Sequence, residues 1–453
     1  MKQIELSKKE HDLADKPLKP LIIQLSIPTI IGQLVMLLYN VIDRIYVGRI
    51  PETGSLALAG LGVCFPILIL IAAFSLLVGI GGAPLAAIEM GKKRKGEAEN
   101  ILNNSFLMLI VFSLILMFFF FIFQDPILRL FGATDLIFYY AKSYLSIYLI
   151  GTLSVQLVLG LNVFIICQGF TYISMGTTLI GCILNIILDP IFIYTFNLGI
   201  KGAALATIIS QSISAIWIIV FLSGKKTNIK LSLKNFKFTP KIDLKILSLG
   251  VSIFIMQITA CIIQLLFNRS MIQFGNEYYL TIMSIIFSFN QLIFLPNQGL
   301  GQGVSAITSY NFGAANYTRV KNTFSILLKW CFLYSFISTA LIEIFPRFFL
   351  SIFTPSQNII ELGIAPSRIF LAGMSLMGIL NAVQQTFIAL GQAKSSIKIA
   401  LFRKLVLLIP LAIILPRIGI GIWGVFVAEA VSDAASSVYS ILLYRKESKK
   451  ILS

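Results

Sequence analysis

The chain has 453 residues, of which 57% are hydrophobic and 12% are charged, and its formal net charge is +17. A mean hydropathy of +0.90 leaves too little polar surface for a soluble protein of several domains, so the composition indicates a membrane protein. The basic residues are concentrated in a few loops between apolar stretches, a distribution that sets membrane topology and does not indicate nucleic-acid binding.

The chain opens with a polar segment, residues 1–20, which lacks the apolar core of a cleavable signal and which we assign to the cytosol. Apolar stretches then follow that are long enough to cross roughly 30 Å of hydrocarbon as helices. We number them spans 1 to 12 and predict them at residues 20–47, 56–88, 101–123, 136–166, 173–196, 202–222, 245–268, 279–309, 324–345, 361–388, 396–415 and 421–444.

The second half of the chain repeats the first at a constant displacement in residue number. We call this displacement the repeat offset; it is the distance in residue number from Gly79 to Gly301. The other matched residues are also mostly glycines: Gly91 and Gly313, Gly151 and Gly373, Gly169 and Gly391, Gly202 and Gly424. Each half contains an even number of spans, so both halves enter the membrane from the same side. The sequence therefore predicts an all-α membrane protein whose twelve transmembrane helices form two six-helix lobes, related by a pseudo-two-fold axis along the membrane normal.

This organisation divides the chain into an N-terminal lobe (21–223), a linker (224–244), a C-terminal lobe (245–445) and a short tail (446–453). Lysines and arginines crowd the loops on the side of the N-terminus, including residues 92–95 and the linker. The loops of the opposite side hold Arg49, Arg129, Lys201, Arg269, Arg347 and Arg417. The positive-inside rule therefore places both termini in the cytosol, and we predict a multi-pass protein of the bacterial cytoplasmic membrane.

The linker alternates lysines with apolar residues: Ile229, Leu231, Leu233, Phe236 and Phe238. This pattern predicts either an amphipathic segment that lies on an anionic inner leaflet or a solvated connector.

Motifs for enzymatic chemistry are missing from the sequence. The single histidine, His11, lies in the polar N-terminal segment, and the sequence has no G-x-S-x-G, P-loop or H-E-x-x-H motif. We therefore predict that the protein is not an enzyme and needs no cofactor. Any pumping must then be driven by an ion gradient.

Carboxylates inside the spans are the candidates for sensing such a gradient, because a charge within the membrane is costly. Asp43 in span 1 and Asp189 in span 5 lie at similar depths, roughly 9 and 12 Å below the outer ends of their helices. The alternatives are that Asp43 pairs with Arg44 or Arg49, and that Asp189 caps the backbone at Pro190.

Span 12 carries a second pair of carboxylates, Glu429 and Asp433, one helical turn apart. A structural partnership with Arg403 or Lys404 is at least as well supported for them as a role in transport.

Other polar groups are predicted to share the depth of Asp43 and Asp189. Tyr39 lies one turn before Asp43, Asn185 one turn deeper than Asp189, and Thr207 roughly 9 Å down span 6. Because Pro190 has no N–H, one carbonyl of span 5 is also left free. Such an all-oxygen set suits a hard cation or a proton, so we expect the coupling ion to be H⁺ or Na⁺.

Two motifs give the chain a family resemblance: NIILDP in span 5 and GIKGAALAT at the start of span 6. Together with Asp43 and the repeat, they resemble the multidrug and toxic compound extrusion (MATE) transporters, in the DinF-like branch and nearest to its MepA-type efflux pumps. The resemblance implies a V-shaped pair of lobes that exchanges a cation for amphipathic, often cationic, compounds by alternating access. Its N-lobe cation site would comprise Asp43, Asn185, Asp189 and Thr207, with Tyr39 beside them and Asn162 as a further member.

The C-terminal lobe departs from the NorM-like branch of this family, which carries acidic residues in spans 7 and 10. Here these spans carry amides, and with nearby aromatic residues they predict a lining for varied drugs: Gln257, Gln264, Asn268, Phe287, Phe289, Tyr310, Asn381, Gln384 and Gln385. The alternative is that the amides form hydrogen bonds between packed helices.

We expect small-molecule drugs or organic cations and membrane lipid as partners, and function as a monomer. A flippase for a lipid or lipid-linked oligosaccharide is the alternative function, and a passive channel agrees less well with the unequal polar residues of the two halves.

Overall fold

The computed structural model describes residues 13–232, 239–275 and 277–452, and these fold as a bundle of long helices. Within those residues, eleven helices are long and apolar enough to cross a membrane, and a bent pair completes twelve crossings. Their bounds are Leu18–Gly48, Gly54–Gly91, Lys95–Leu130, Asp135–Ile150 with Thr152–Cys167, Thr171–Thr195, Ile200–Ser223, Pro240–Phe274, Glu277–Gly313, Tyr317–Ile344, Gln357–Ala389, Ala393–Ile420 and Trp423–Ile451. The predicted all-α membrane fold is confirmed.

Span 4 bends by 59° at Gly151, where its helix is interrupted. A side-chain carbon on Gly151 would collide with Ile208 of span 6. The equivalent break in span 10 is at Gly373, where a side chain would collide with Ala430 of span 12. Ile208 and Ala430 are themselves separated by the repeat offset, so the duplicated glycines make duplicated helix contacts.

The two lobes pack through spans 1, 2, 7 and 8. Span 1 lies against span 8, and span 2 lies against span 7. At the repeat offset, span 1 corresponds to span 7 and span 2 corresponds to span 8. The contact between spans 1 and 8 therefore corresponds to the contact between spans 7 and 2. A two-fold relation between the lobes produces this exchange.

A close and symmetric contact of the lobes is at the ends of spans 2 and 8. Gly91 meets the backbone carbonyl of Tyr310, and Gly313 meets the carbonyl of Ile88. Ile88 and Tyr310 are also related by the repeat offset, so this double contact is symmetric. We call this the linker side, since spans 6 and 7 also meet the linker here, and the opposite side the far side.

The buried cores show where the lobes join and where they separate. One apolar cluster on the linker side combines residues of both lobes, among them Leu25, Val78 and Ile307. On the far side each lobe has its own cluster, represented by Leu61 in the N-terminal lobe and Phe370 in the C-terminal lobe. The lobes are therefore fastened together on the linker side and have separate cores on the far side.

The first part of the linker packs into the bundle. Gln168, at the end of span 4, accepts hydrogen bonds from the Thr227 hydroxyl (2.8 Å) and from the backbone N–H groups of Asn228 (2.9 Å) and Ile229 (3.1 Å). Ile229 and Leu231 are buried in the shared core. This part is therefore neither a strip on the membrane surface nor a solvated connector.

The other apolar residues of the linker pattern, Leu233, Phe236 and Phe238, lie outside the described residues, as does His11.

The N-terminal segment also connects the lobes. Leu13 is buried and lines a small cavity with Gly169 and Phe170 of the N-terminal lobe. Its backbone carbonyl accepts hydrogen bonds from Asn311 (3.0 Å) and Arg319 (3.2 Å), which belong to the C-terminal lobe. The segment therefore bridges the two lobes on the linker side.

Candidate cation site in the N-terminal lobe

The far half of the N-terminal lobe brings together four residues predicted from the sequence. The exposed fractions are 7% for Asp43, 1% for Asn185, 0% for Asp189 and 4% for Thr207. The Asn185 amide donates hydrogen bonds to Asp189 Oδ1 (3.3 Å) and to Thr207 Oγ1 (3.4 Å). It thereby ties spans 5 and 6 together at this depth.

Local backbone geometry explains why these side chains meet. Asn185 and Asp189 are one helical turn apart and share a face of span 5. Beyond Pro190 the helix widens into a π-turn over Ile191–Thr195. A side chain on Gly202 would collide with the backbone of Phe192, so the glycine lets span 6 approach span 5 closely.

Three buried oxygen atoms in this group have no hydrogen-bond partner among the described residues: Asp43 Oδ1, Asn185 Oδ1 and Asp189 Oδ2. Buried polar atoms normally have a partner, so orphaned acceptors at one place point to a missing donor. Asp43 and Asp189 are also close enough to interact electrostatically. Orphaned carboxylate and amide oxygens are the groups that a hard cation or a proton can satisfy.

The alternatives for the two aspartates are only weakly represented in the structure. Arg44 is near enough to Asp43 to interact with it electrostatically, but its guanidinium lies over the Phe65 ring at 4.9 Å from the ring centre, and no ion pair within 4 Å joins Asp43 to Arg44 or Arg49 among the described residues. Asp189 accepts its hydrogen bond from the Asn185 side chain and not from the backbone near Pro190.

Tyr39 connects the four residues with a cavity of about 110 Å³. It interacts with Asp43 and Thr207 and is half-buried. The cavity lies mainly within the N-terminal lobe, and Gln302 of the C-terminal lobe also lines it. Gln33 also lines the cavity and donates a hydrogen bond to Gln302 (3.2 Å) across the lobe boundary.

Asn162 lines this cavity and makes no hydrogen bond with the four residues in the described structure. Its amide donates to the backbone carbonyl of Ser174 (3.5 Å), at the start of span 5. Its repeat counterpart Gln384 donates to the carbonyl of Ser396 (3.2 Å), the counterpart of Ser174. The repeat offset is the sequence signal that could have indicated this shared contact, which was not among the predictions.

The remaining residues of the predicted drug lining differ in exposure. Phe289 is buried against Phe349 and Phe353, with ring centres 6.3 and 5.5 Å apart. Phe287 stacks on Phe267 at 6.1 Å. The other predicted lining residues fall into two groups by exposure. Tyr310, Asn381 and Gln385 are buried, whereas Gln257, Gln264 and Asn268 are more accessible.

Glu429 and Asp433 make the structural partnership that was one of their two predicted roles. Arg403 donates to Asp433 Oδ1 through Nε (2.7 Å) and to Glu429 Oε1 through Nη2 (3.0 Å). Lys404 is buried beside them.

Comparison with known proteins identifies the family of this chain. The MatE family model matches residues 28–191 and 252–414, one segment in each lobe and most of the chain. The chain belongs to the MATE family. The predicted resemblance is thereby confirmed.

Relatives and solved structures cover this MATE chain almost end to end. Multidrug export protein MepA of Staphylococcus haemolyticus (strain JCSC1435) is 26% identical over 420 residues, which are 92% of each chain. MepA of Staphylococcus aureus (strain NCTC 8325 / PS 47) is 24% identical over the same lengths.

A crystal structure of MATE in the bent conformation aligns with a TM-score of 0.91, at 24% identity and 98% coverage of both chains. A multidrug resistance MATE transporter in the outward-facing conformation aligns with a TM-score of 0.89, at 25% identity and coverage of 97% and 98%. These likenesses support the two-lobe fold.

Proposed function

We propose that this MATE protein is a secondary active multidrug efflux transporter that exchanges H⁺ or Na⁺ for amphipathic, often cationic, compounds by alternating access. Family membership and the names of the MepA relatives support the class of transport. The observation that carries the coupling is the group of buried, unpartnered oxygens on Asp43, Asn185 and Asp189, which Tyr39 connects with the neighbouring cavity. A transporter driven by an ion needs such a place to hold it.

The distribution of basic loops supports an orientation with the linker side in the cytosol of a bacterial cell. In that orientation, the packed lobe contact at Gly91 and Gly313 closes the cytosolic side. The separate lobe cores then lie on the outer side, which is where we propose that the lobes part when the transporter opens outward. Since one chain supplies both lobes and the cavity, the monomer is the proposed functional unit.

The proposed cycle begins when a cation or proton from outside reaches Asp43 and Asp189. Asn185 holds Asp189 and Thr207 in place, so that the remaining carboxylate oxygens stay free to bind the ion. Binding neutralises the buried charge next to Tyr39 and its cavity, and a cationic compound loses its attraction to that lobe. Rocking of the lobes then carries the ion inward. This drives transport only because the ion binds the two conformations with different affinity.

The experiment is drug efflux measured in inverted membrane vesicles under an imposed proton or sodium gradient, with ethidium as the reporter. We expect the unchanged protein to respond to one gradient. Asp43→Asn and Asp189→Asn should each lower the gradient-driven rate of ethidium efflux roughly 100-fold, because each variant loses a charge that binds the ion. Asp135→Asn is the matched control, since Asp135 pairs with Arg129 at the exposed rim.

Equal amounts of each variant in the membrane, measured by immunoblot, make the rates comparable. Normal gradient-driven ethidium efflux by Asp43→Asn or Asp189→Asn would contradict the proposed coupling site. A response to neither gradient by the unchanged protein would contradict ion coupling itself.

A further inference from the structure

The cavity of the N-terminal lobe has a counterpart in the C-terminal lobe that is filled with charged side chains. Gly181, Cys182 and Gln211 line the cavity, and Thr207 lies in the neighbouring cation site. At the repeat offset, the corresponding residues are Arg403 for Gly181, Lys404 for Cys182, Asp433 for Gln211 and Glu429 for Thr207. A neutral cavity in one lobe thus corresponds to an ionic cluster in the other.

The cluster is buried and its charges balance. Arg403, Glu429 and Asp433 are 5%, 3% and 0% exposed, and Lys404 is 9% exposed. The Arg403 guanidinium donates to both carboxylates at 2.7 and 3.0 Å. A guanidinium presents several donors in a fixed plane and suits a site between two carboxylates. Two cations and two anions together require no further ion.

Packing explains why only one lobe has room for this arginine. A side-chain carbon on Gly181 would lie 2.8 Å from Ser214 Oγ, so span 6 crowds this position in the N-terminal lobe. In the C-terminal lobe, span 11 forms a π-helix over Phe402–Leu408, a wider turn that begins one residue before Arg403. The carboxylate pair on span 12 faces this turn.

The cluster also retains unused binding capacity. Asp433 Oδ2 and the hydroxyl of Ser436, the counterpart of Ser214, are buried and have no hydrogen-bond partner among the described residues. A site built only for internal packing would leave fewer acceptors orphaned. The arrangement resembles a cation-binding site whose cation is attached to the chain.

We infer that Arg403 is a tethered cation: its guanidinium occupies the C-lobe counterpart of the N-lobe cavity, beside the counterpart of Thr207, and prevents that lobe from taking a cation from solution. The inference rests on the proposed function in assigning ion coupling to the N-terminal lobe. It adds that Glu429 and Asp433 form a latent cation site. Removal of the guanidinium leaves two carboxylates facing one ammonium, with one uncompensated negative charge.

Thermal unfolding of purified Arg403→Ala, in detergent, tests the latent site. We expect a lowered Tm, because breaking a buried ion pair leaves a charge unpaired. Guanidinium chloride at millimolar concentration should raise the Tm of this variant by several degrees in a saturable manner, whereas tetramethylammonium chloride should not. The unchanged protein and Arg403→Ala/Glu429→Gln/Asp433→Asn should show no rescue by guanidinium.

A second variant separates charge from packing. Arg403→Ala/Asp433→Asn removes one charge of each sign and leaves Lys404 with Glu429, so it should be more stable than Arg403→Ala alone. If neither variant can be recovered folded, or if guanidinium does not rescue Arg403→Ala, the inference is overturned.

The same titration in an Asp189→Asn background distinguishes this inference from the proposed function. Guanidinium binding in the C-terminal lobe should be unchanged there, because Asp189 belongs to the other lobe. Efflux is judged separately, in the protein with Asp189 and Arg403 unchanged. Guanidinium rescue of Arg403→Ala together with no ion-coupled efflux by the unchanged protein would leave the inference standing and remove the proposed function. Ion-coupled efflux by the unchanged protein without guanidinium rescue of Arg403→Ala would overturn the inference and leave the proposed function standing.

Discussion

Asp43 and Asp189 of the N-terminal lobe correspond, at the repeat offset, to Leu265 and Leu411 of the C-terminal lobe. The helix contacts around them are nevertheless duplicated, as the Gly151–Ile208 and Gly373–Ala430 contacts show. The two lobes therefore share the packing that holds each of them together, whereas the charged groups differ. The comparison teaches that a symmetric frame constrains backbone contacts strongly and polar chemistry much less.

The largest expected effect concerns the symmetric contact between the lobes. Gly91→Ala and Gly313→Ala each add a carbon that collides with a backbone carbonyl of the other lobe. Overpacking of this kind costs about 1–3 kcal/mol, and we expect both variants to lose most transport because the linker side no longer closes. Gly62→Ala is the control, since a side-chain carbon there meets nothing within 4 Å. Vesicle efflux rates measure the effect; a strong loss in only one of the two glycine variants would break the symmetry.

The second prediction compares Asn185 with its counterpart Leu407. Asn185→Leu removes the amide that joins Asp189 to Thr207, and we expect the ion concentration needed for half-maximal efflux to rise about tenfold. Leu407→Asn introduces an amide at the equivalent place of the other lobe and should leave this concentration unchanged. Efflux measured over a series of imposed ion concentrations gives both values. Equal shifts would show that the amide acts through general packing.

The third prediction concerns the linker contact, which has no equivalent in the C-terminal lobe. Gln168 corresponds to Leu390, so the hydrogen bonds to residues 227–229 exist in one lobe only. Gln168→Leu leaves two buried N–H groups without an acceptor and should cost about 2 kcal/mol of unfolding free energy. Gln392→Leu, in the corresponding loop of the C-terminal lobe, should cost little. Thermal unfolding compares them, and similar Tm values for both variants would contradict the prediction.

The smallest expected effect concerns the hydrogen bond that Asn162 and its counterpart Gln384 both make. Asn162→Ala and Gln384→Ala each remove an amide that donates to the start of the following span. We expect a loss of about 1 kcal/mol in unfolding free energy for Asn162→Ala and a somewhat larger one for Gln384→Ala, because Gln384 also donates to Ser396 Oγ (2.6 Å); ion dependence should change in neither variant. A change in ion dependence for Asn162→Ala alone would place Asn162 in the cation site.

Hydrophobic length and the repeat offset predicted the spans and the two-lobe frame well, because these depend on the membrane and on local helix geometry. The meeting of Asn185, Asp189 and Thr207 followed from helical spacing and depth. For Glu429 and Asp433 the sequence left two options, a structural partnership with Arg403 or Lys404 and a role in transport, because the spacing of two carboxylates on one helix face fits both. The contacts of Gln168 with the linker depend on tertiary packing, about which alternating lysines and apolar residues give no information.

The packing of residues 227–229 against Gln168 has a practical consequence for dividing the protein. Although span 6 ends at Ser223, the chain continues to pack against Gln168 of the N-terminal half, and Ile229 and Leu231 contribute to the core that both lobes share. Two half-proteins coexpressed from separate genes should therefore be split after Ser232, so that the first half retains its own hydrogen-bond donors. A split at the helix end would leave the side-chain carbonyl oxygen of Gln168 facing an empty groove.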